Sequence, residues 1–270
     1  MKRFYIITNR TKDKDLAVTK SIKAYIEGKG GECFSAEEYT YMPEGIDCIL
    51  VLGGDGTLIR AARELPSSDV PMLGINMGTL GYLTEVEVSD MEKSIDQLME
   101  GNSYVEKRML LHGCIEGKDE SLALNDIVLT RSGNVRVMQF HVYVNGELLN
   151  TYRADGVIVS TPTGSTAYNL SAGGPIVAPT ASLLVITPIC SHALNTSSIV
   201  LSAEDEIVLE VGVGRDGSEE EAVVSFDGEK DVIVRTGDKI QIRKADATAK
   251  LLKLSKISFL EIMRRKMKGN

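Results

Sequence analysis

The strongest constraint on the fold is a junction at residues 46–64, where a strand-like run meets a glycine-rich turn and then a helical pattern. Residues 46–52 are an apolar run of strand length, residues 53–57 read GGDGT, and helical spacing runs from about Thr57 to Glu64. A buried strand that leads through glycines into a helix is typical of parallel sheets with helices on their faces. The GGDGT turn would lie at the carboxyl end of its strand, where open α/β sheets bind ligands.

The same alternation extends through the first hundred residues and then stops. Strand-like runs at 4–8 and 71–76 alternate with helical stripes at 18–26 and 91–99. Beyond Ser103 the chain consists of short β-rich runs, and Asn-Gly and Asp-Gly pairs of the kind found in hairpin turns separate some of them. The sequence therefore predicts a parallel-sheet α/β domain over residues 1–103 and a β-rich, antiparallel sandwich-like domain over 104–255. A C-terminal helix within 256–270 is expected to pack on the first domain.

Composition narrows the class of protein. A net charge of −8 over 270 residues argues against sequence-independent nucleic-acid binding, which needs a basic face. The four cysteines have no CxxC spacing and are expected to be buried free thiols of a reducing compartment. The apolar runs are too short for a signal peptide or a membrane span, so we expect a cytoplasmic protein without a membrane partner.

The GGDGT turn has two interpretations. Glycines let backbone N–H groups approach phosphate oxygens, and the helix that follows adds the positive end of its dipole. On this interpretation Asp55 is the catalytic candidate, and the phosphate-binding candidates are Gly53, Gly54, Gly56 and Thr57. The alternative is a plain strand-to-helix turn with Asp55 as a cap.

Other glycine patterns are weaker. The chain contains no GxxxxGK[ST] motif. A literal GxGxxG occurs at residues 212–217, but it leads into an acidic turn and a strand rather than a helix, so we interpret it as a hairpin loop.

Three further segments combine small, polar and aromatic residues. GINMGTLGYLTE, residues 74–85, offers the ring of Tyr82 for base stacking, although a structural turn with a core tyrosine explains it as well. The adjacent Asn125 and Asp126 interrupt an apolar strand and would bind either sugar hydroxyls or backbone groups. The segment from Arg153 to Val177 is rich in hydroxyls that suit a nucleotide, with a polar loop of Ser/Thr turns as the alternative.

Histidine and metal chemistry are sparse. No two of the three histidines have metal-ligand spacing, so no metal ligands of the protein are predicted. For His192, in the segment TPICSHALN, a structural role and a role in the site both remain open.

Taken in order, GGDGT, GINMGTLGY, LND, DGVIVSTPTGSTAYNLSAGGPIV and TPICSHALN resemble the NAD kinases over most of the chain. The DGVIVSTPTGSTAY block is the specific element, since phosphofructokinases and diacylglycerol-type lipid kinases have loops similar to GGDG. The resemblance implies transfer of the terminal phosphoryl group of ATP, or of polyphosphate, to the 2′-hydroxyl of the adenosine ribose of NAD. It also implies a homo-tetramer or homo-dimer. Because phosphoryl transfer needs neutralisation of charge, we expect Mg²⁺ or another divalent cation to be carried with ATP.

Matched motif by motif, the resemblance makes Asp55 the catalytic aspartate. It implies NAD-binding roles for Tyr82, Asn125, Asp126, Arg153, Asp155, Thr166, Ala167, Tyr168 and Ser171. Two differences stand out. The family usually has a glutamate at the position of Asp126, which is one methylene shorter. After TPIC, a proline before the histidine and a later arginine are replaced by SHALNTSS.

For the mechanism, we expect Asp55 to orient the hydroxyl and accept its proton late, because an aspartate is too weak a base to ionise a sugar hydroxyl beforehand. Two alternatives stay open. One is a lipid kinase with the same glycine loop, and the other is an NAD-binding sensor that has lost turnover.

Overall fold

The structure is a computed structural model that describes residues 1–39, 41–65, 69–78, 81–133, 137–193, 197–255 and 257–267. The helices are α1 (Ala17–Gly28), α2 (Asp55–Glu64), α3 (Met91–Glu100), α4 (Tyr168–Ser171) and α5 (Phe259–Met267). The strands are β1 (Arg3–Thr8), β2 (Glu32–Ser35), β3 (Cys48–Gly53), β4 (Met72–Asn76), β5 (Val86–Glu87), β6 (Tyr104–Ile115), β7 (Asp119–Ala123), β8 (Asp126–Arg131), β9 (Met138–Val144), β10 (Glu147–Ala154), β11 (Gly156–Ser160), β12 (Leu183–Ile189), β13 (Ile199–Ser202), β14 (Ile207–Val211), β15 (Glu221–Phe226), β16 (Lys230–Arg235) and β17 (Lys239–Lys253).

Two compact units make up the chain. The first contains residues 1–107 together with 249–270, and the second contains residues 108–248. The unit boundaries therefore fall inside β6 and inside β17. The domain division at residues 103 and 255 stays a prediction.

The first unit contains a parallel sheet in the order β2-β1-β3-β4-β5. All six residues of β3 are buried, as expected for a central parallel strand covered on both faces. The end of β17 also pairs in parallel with β4, through Leu251 and Met72. Because β2 lies on one side of β1 and β3 and β4 lie on the other, the strand order reverses between β1 and β3. The carboxyl ends of these two strands are the position at which such sheets bind ligands.

Helices α1 and α3 pack on this sheet through the apolar stripes that the sequence predicted. Ile22 and Ile26 of α1 and Ile95 and Leu98 of α3 join one core with the strands. Gly101 ends α3 with φ +80°, a conformation that favours glycine. Helix α2 begins at Asp55, two residues earlier than its side-chain pattern indicated, because its first turn has no apolar residue before Leu58.

The second unit is a β-sandwich. One antiparallel sheet has the order β13-β12-β11-β8-β15-β16, and strands β10, β9, β14 and β17 form another antiparallel set. Side chains of both sets share one apolar core, for example Phe140, Val159 and Phe226. The hairpins β9-β10 and β15-β16 turn at Asn145-Gly146 and Asp227-Gly228, all with positive φ. The fold class predicted from the sequence, a parallel α/β region followed by an antiparallel sandwich-like region, is confirmed.

The cysteine prediction was partly wrong. All four are free; Cys33 and Cys48 are buried and Cys114 is partly buried, but Cys190 is exposed. Cys190 follows the end of β12 in a left-handed conformation, φ +47°, which carries the chain out of the sheet.

Parts of two predicted segments lie outside the described residues, namely Thr79 and Leu80 of GINMGTLGYLTE and Leu194 and Asn195 of TPICSHALN. Within the part of the chain that the structure describes, no helix has the length and apolar character needed to cross a membrane.

Candidate functional site

The GGDGT turn joins β3 to α2, and each of its three glycines has a different structural environment. Gly53 must lack a side chain, because a Cβ atom there would collide with the hydroxyl of Thr57. Gly54 is the N-cap of α2 in an extended conformation. Gly56 is exposed, and a Cβ atom there would meet nothing within 4 Å. The N–H groups of Thr57 and Leu58 both donate to the carbonyl of Gly54, so the N–H groups of Asp55 and Gly56 are the ones at the start of α2 that a helix leaves without an intrahelical acceptor.

The carboxylate of Asp55 is held by the segment that follows β4. The backbone N–H of Tyr82 donates to Oδ2 at 2.6 Å, and the N–H groups of Leu83 and Thr84 donate to Oδ1, each at 3.1 Å. Gly81 must be a glycine, since a Cβ atom there would collide with the same carboxylate. Among the described residues none of the donors comes from the first turn of α2, so Asp55 does not act as a helix cap.

A buried ion pair fixes the far end of this segment. The carboxylate of Glu85 accepts a hydrogen bond from Nζ of Lys253 at 2.9 Å, and their side chains are only 9% and 8% exposed. Burial alone would raise the pKa of Glu85, but the ammonium of Lys253 and hydrogen bonds from Lys253 and Ser255 outweigh it and lower that pKa. The ammonium of Lys266 in α5 lies 5.0 Å from the centre of the Tyr82 ring. The segment that binds Asp55 is thus attached to the C-terminal part of its own unit.

In the second unit, Asn125 and Asp126 line an open pocket of about 490 Å³ together with Ala167 and Tyr168. Asp126 is only 4% exposed, and its carboxyl group forms no hydrogen bond with a residue in the described ranges. Burial, together with the nearby carboxylate of Asp227, raises the pKa of Asp126 to about 7. The structure thus leaves a buried carboxyl group, without a hydrogen-bond donor among the described residues, in the lining of an open pocket.

Asp227 organises the backbone beside that pocket. Its carboxylate accepts hydrogen bonds from the backbone N–H groups of Leu124, Asn125 and Asp126 at 2.8, 2.7 and 3.2 Å. No sequence pattern indicated this role, because Asp227-Gly228 predicts only a turn. The turn itself was the available clue, because an aspartate in a left-handed turn can direct its carboxylate at neighbouring N–H groups.

Several hydroxyl groups in the loop between β11 and β12 already have hydrogen-bond partners within the protein. Thr161 donates to the carbonyl of Leu124 at 2.6 Å, and Ser165 donates to the carbonyl of Pro162 at 2.7 Å. A Cβ atom at Gly164 would collide with the backbone of Asn125, so this glycine lets the loop lie directly on the Asn-Asp pair. For the buried hydroxyls the structural interpretation therefore holds. Tyr168 is 45% exposed, and Thr166, Ala167 and Ser171 are at least partly exposed.

The remaining predicted NAD-binding residues lie apart from that pocket. Asp155 forms an ion pair with Arg131 at 3.0 Å. Arg153 is exposed and lines a smaller pocket of about 240 Å³ with His192 and Arg215. The GxGxxG at 212–217 is a turn between strands rather than the start of a helix, so its interpretation as a loop fits the structure. In the described ranges, no group of three or more His, Cys, Asp or Glu residues could hold a metal ion.

A parallel sheet with a glycine-rich helix start offers backbone N–H groups that suit phosphate, and the sandwich offers a polar pocket that suits hydroxyl groups. Both features are typical of proteins that bind nucleotides. The family described as the ATP-NAD kinase N-terminal domain matches residues 8–103, and the ATP-NAD kinase C-terminal domain matches residues 124–254. The chain belongs to the NAD kinase family, whose members are phosphotransferases with an alcohol group as acceptor.

Curated relatives are similar in sequence over nearly the whole chain. An NAD kinase of Agathobacter rectalis is 48% identical, covering 100% of this chain and 99% of its own length. An NAD kinase of Lachnospira eligens is 45% identical, covering 99% and 100%. Among solved structures, an NAD kinase from Archaeoglobus fulgidus in complex with ATP is 26% identical, with a TM-score of 0.79 and 98% of each chain covered. Yeast NADH kinase complexed with NADH shares the fold, with a TM-score of 0.81 at 22% identity, covering 100% of this chain and 88% of its own.

Proposed function

We propose that this protein transfers the terminal phosphoryl group of ATP to the 2′-hydroxyl of the adenosine ribose of NAD, which gives NADP. The observation that carries the proposal is the carboxylate of Asp55, held by three backbone N–H groups at the start of α2. Phosphoryl transfer needs exact placement of the two reactants and neutralisation of charge more than it needs a strong base.

In this mechanism Asp55 orients the acceptor hydroxyl. Its Oδ2 accepts one hydrogen bond from the described residues, and a carboxylate oxygen can accept two, so Oδ2 has capacity for the hydroxyl of the acceptor. The hydroxyl loses its proton to Asp55 late, as its oxygen bonds to the terminal phosphorus of ATP, the bond from that phosphorus to the β,γ-bridging oxygen breaks, and ADP leaves. The N–H groups at the start of α2 stabilise phosphate charge during the transfer.

The NAD-binding role is proposed for the pocket of Asn125 and Asp126. A buried carboxyl group without a hydrogen bond from the described residues is suited to a ribose hydroxyl. The exposed ring of Tyr168, at the rim of the same pocket, suits stacking against a base. We retain Tyr82, Arg153, Asp155, Thr166, Ala167 and Ser171 as proposed NAD-binding residues on the strength of the family motifs.

A divalent cation, Mg²⁺ in the first instance, is proposed to arrive with ATP, and it would supply positive charge to the phosphates. Mg²⁺ keeps several water ligands and takes few from protein. The residues fit such an ion, because Oδ1 of Asn76 is buried and has no hydrogen-bond partner among the described residues. Asn76 would accept a hydrogen bond from a water of the hydrated ion.

The test is turnover of NAD with Mg²⁺ and ATP, followed by the appearance of NADP. Formation of NADP supports the proposal. Phosphorylation of diacylglycerol or a sphingoid base instead would support the lipid kinase alternative. Binding of NAD in calorimetry with no NADP from any donor would support the sensor alternative.

The same assay, run with polyphosphate as donor and with NADH as acceptor, defines the substrate range. We further propose a cytoplasmic homo-tetramer or homo-dimer. Analytical ultracentrifugation distinguishes these assemblies from a monomer.

A further inference from the structure

We propose that Lys12 is the side chain that binds the phosphate groups of the phosphoryl donor, at the carboxyl ends of β1 and β3. The inference rests on the proposed function and adds a residue to its donor site. No motif in the sequence singled out Lys12, and the assignment comes from where the fold holds its ammonium group.

The turn that carries Lys12 directly follows β1. This position is the point at which the strand order of the first unit reverses, because β1 and β3 are neighbours whose crossovers lead in opposite directions. Ligands of open α/β sheets bind in the crevice at such a point. GGDGT follows β3 at the same edge, so the turn after β1 and the start of α2 lie side by side at the carboxyl ends of neighbouring strands.

Two hydrogen bonds attach this turn to the GGDGT element. The backbone N–H of Asn9 donates to the carbonyl of Leu52 in β3 at 2.8 Å. The side-chain amide of Asn9 donates to the hydroxyl of Thr57 in the first turn of α2 at 3.1 Å. The position of the turn is therefore fixed relative to the start of α2.

The backbone on both sides of Lys12 is ordered while its side chain is exposed. The N–H groups of Lys12 and Asp13 both donate to the carbonyl of Asn9 at 3.0 Å. Asp13 is buried and accepts hydrogen bonds from the N–H groups of Val18 and Thr19 in α1. Lys12 thus projects from a rigid turn.

The ammonium group of Lys12 lies over two glycines. A Cβ atom added to Gly54 would be 3.2 Å from Nζ of Lys12, and one added to Gly78 would be 3.3 Å from it. Nζ forms no hydrogen bond or ion pair with any residue that the structure describes. Lys23 and Lys29, in contrast, each pair with a carboxylate. In a chain of net charge −8, a lysine held over a glycine loop without a carboxylate partner in the described ranges is suited to an external anion.

A second observation in the same place indicates a ligand. Lys12, Asn76, Gly78 and Glu87 are among the residues that line a pocket of about 390 Å³. Asn76 is only 3% exposed, and its Oδ1 has no hydrogen-bond partner in the described part of the chain, while its Nδ2 donates to the carbonyl of Gly78 at 2.7 Å. A buried oxygen of this kind needs a donor. Among the described lining residues Lys12 is the cation, and Asn76, Glu87 and Ser89 carry side-chain oxygen acceptors. This combination suits phosphate bound to a hydrated divalent cation better than bare phosphate.

The test compares Lys12→Met with the control Lys14→Met, an exposed lysine two residues away in the same segment. Because a hydrogen bond to a charged group contributes about 1.5–3 kcal/mol, we expect the KM for Mg²⁺-ATP to rise about 10-fold to 100-fold in Lys12→Met. The KM for NAD is expected to stay within about twofold, and Lys12→Arg to restore most of the affinity for ATP. Lys14→Met is expected to match the wild type.

A binding measurement separates failure of this inference from failure of the proposed function. Calorimetry with Mg²⁺ and inorganic tripolyphosphate is run on wild type, Lys12→Met and Lys12→Gln. This experiment measures binding without turnover, and the second variant shows whether an effect depends on one particular substitution. We expect the Kd to rise about tenfold in both variants. Unchanged Kd and KM for the donor, or an equal rise in the KM for NAD, would overturn the role of Lys12 while leaving the kinase activity intact. A wild type that binds tripolyphosphate through Lys12 but makes no NADP would contradict the proposed function instead.

Discussion

Asp55 and Asp126 are carboxyl groups in different units, and the fold treats them in opposite ways. Asp55 receives three backbone N–H hydrogen bonds, which fix its orientation. Asp126 receives none from the described residues, is nearly fully buried, and has the carboxylate of Asp227 nearby. The first unit therefore holds the carboxylate of Asp55 in one orientation, whereas the second leaves the carboxyl group of Asp126 without a described hydrogen-bond donor.

The two environments suit two different roles, catalysis and ligand binding. A group that acts on a reacting hydroxyl benefits from a fixed position and a fixed charge, since no reorganisation is then needed during the reaction. A group that binds a ligand hydroxyl gains most from the bond when it has no competing partner in the protein. The comparison supports a catalytic role for Asp55 and a binding role for Asp126. Four substitutions test these two roles.

The largest effect is expected for Asp55→Asn. The NH₂ group of the new asparagine would face an N–H donor of residues 82–84, and the carboxylate charge that orients the hydroxyl would be lost. We therefore expect kcat to fall about 10²-fold to 10⁴-fold while NAD still binds. Steady-state kinetics and calorimetry measure the two quantities. Asp47→Asn is a matched control, because Asp47 also accepts backbone N–H groups, those of Lys2 and Arg3. Near wild-type turnover in Asp55→Asn would exclude the catalytic role.

The next effect tests the support behind the Asp55-binding segment. Glu85→Gln leaves the buried ammonium of Lys253 without its charged partner, which is expected to lower the free energy of unfolding by about 3–5 kcal/mol. Urea unfolding measures the loss. The double variant Glu85→Gln/Lys253→Met removes both charges and is expected to recover much of it. A single variant as stable as the wild type would show that this pair does not fix the segment.

A smaller effect is expected in the second unit for Asp227→Asn. Three backbone N–H groups lose a charged acceptor, so we expect a loss of about 2–3 kcal/mol in unfolding free energy. The pKa of Asp126 should also fall below its value of about 7, because one of its two causes is removed. Carboxyl-carbon NMR titration of Asp126 tests this, and an unchanged pKa would leave burial as the sole cause.

The smallest effect concerns pH. The pKa of Asp126 is raised to about 7 in the folded chain, against an ordinary value of about 3.9 when unfolded. Between these values the folded state holds a proton that the unfolded state has released, so this group makes stability fall as pH rises from about 4 to 7. Asp126→Asn should therefore become more stable than the wild type by about 1–3 kcal/mol above pH 7, with no gain near pH 4.

Thermal melts at both pH values measure that gain. Asp231→Asn is the control, because Asp231 lines the same pocket but is exposed. An equal gain in the control would mean that net charge, rather than burial of Asp126, causes the effect.

Much of the fold could be predicted because its signals are local. The apolar run before GGDGT became the buried strand β3, and the stripe of α3 and its terminal glycine were both found. Asn145-Gly146 became a hairpin turn with positive φ at both residues. Periodicity, glycine conformation and turn chemistry act over a few neighbouring residues, so a single sequence expresses them. The individual NAD-binding roles stay predictions.

The contacts that give the site its chemistry were decided by the tertiary structure. Asp55 is bound by N–H groups about 27 residues away, and Asp227 binds N–H groups about 100 residues away. Lys12 lies over Gly54 because β1 and β3 are adjacent in the sheet. The sequence by itself determined that a carboxylate would stand at the start of a helix at a sheet edge. Only the assembled sheets determined what each carboxylate faces, because partners distant along the chain meet only after strand order and register are set.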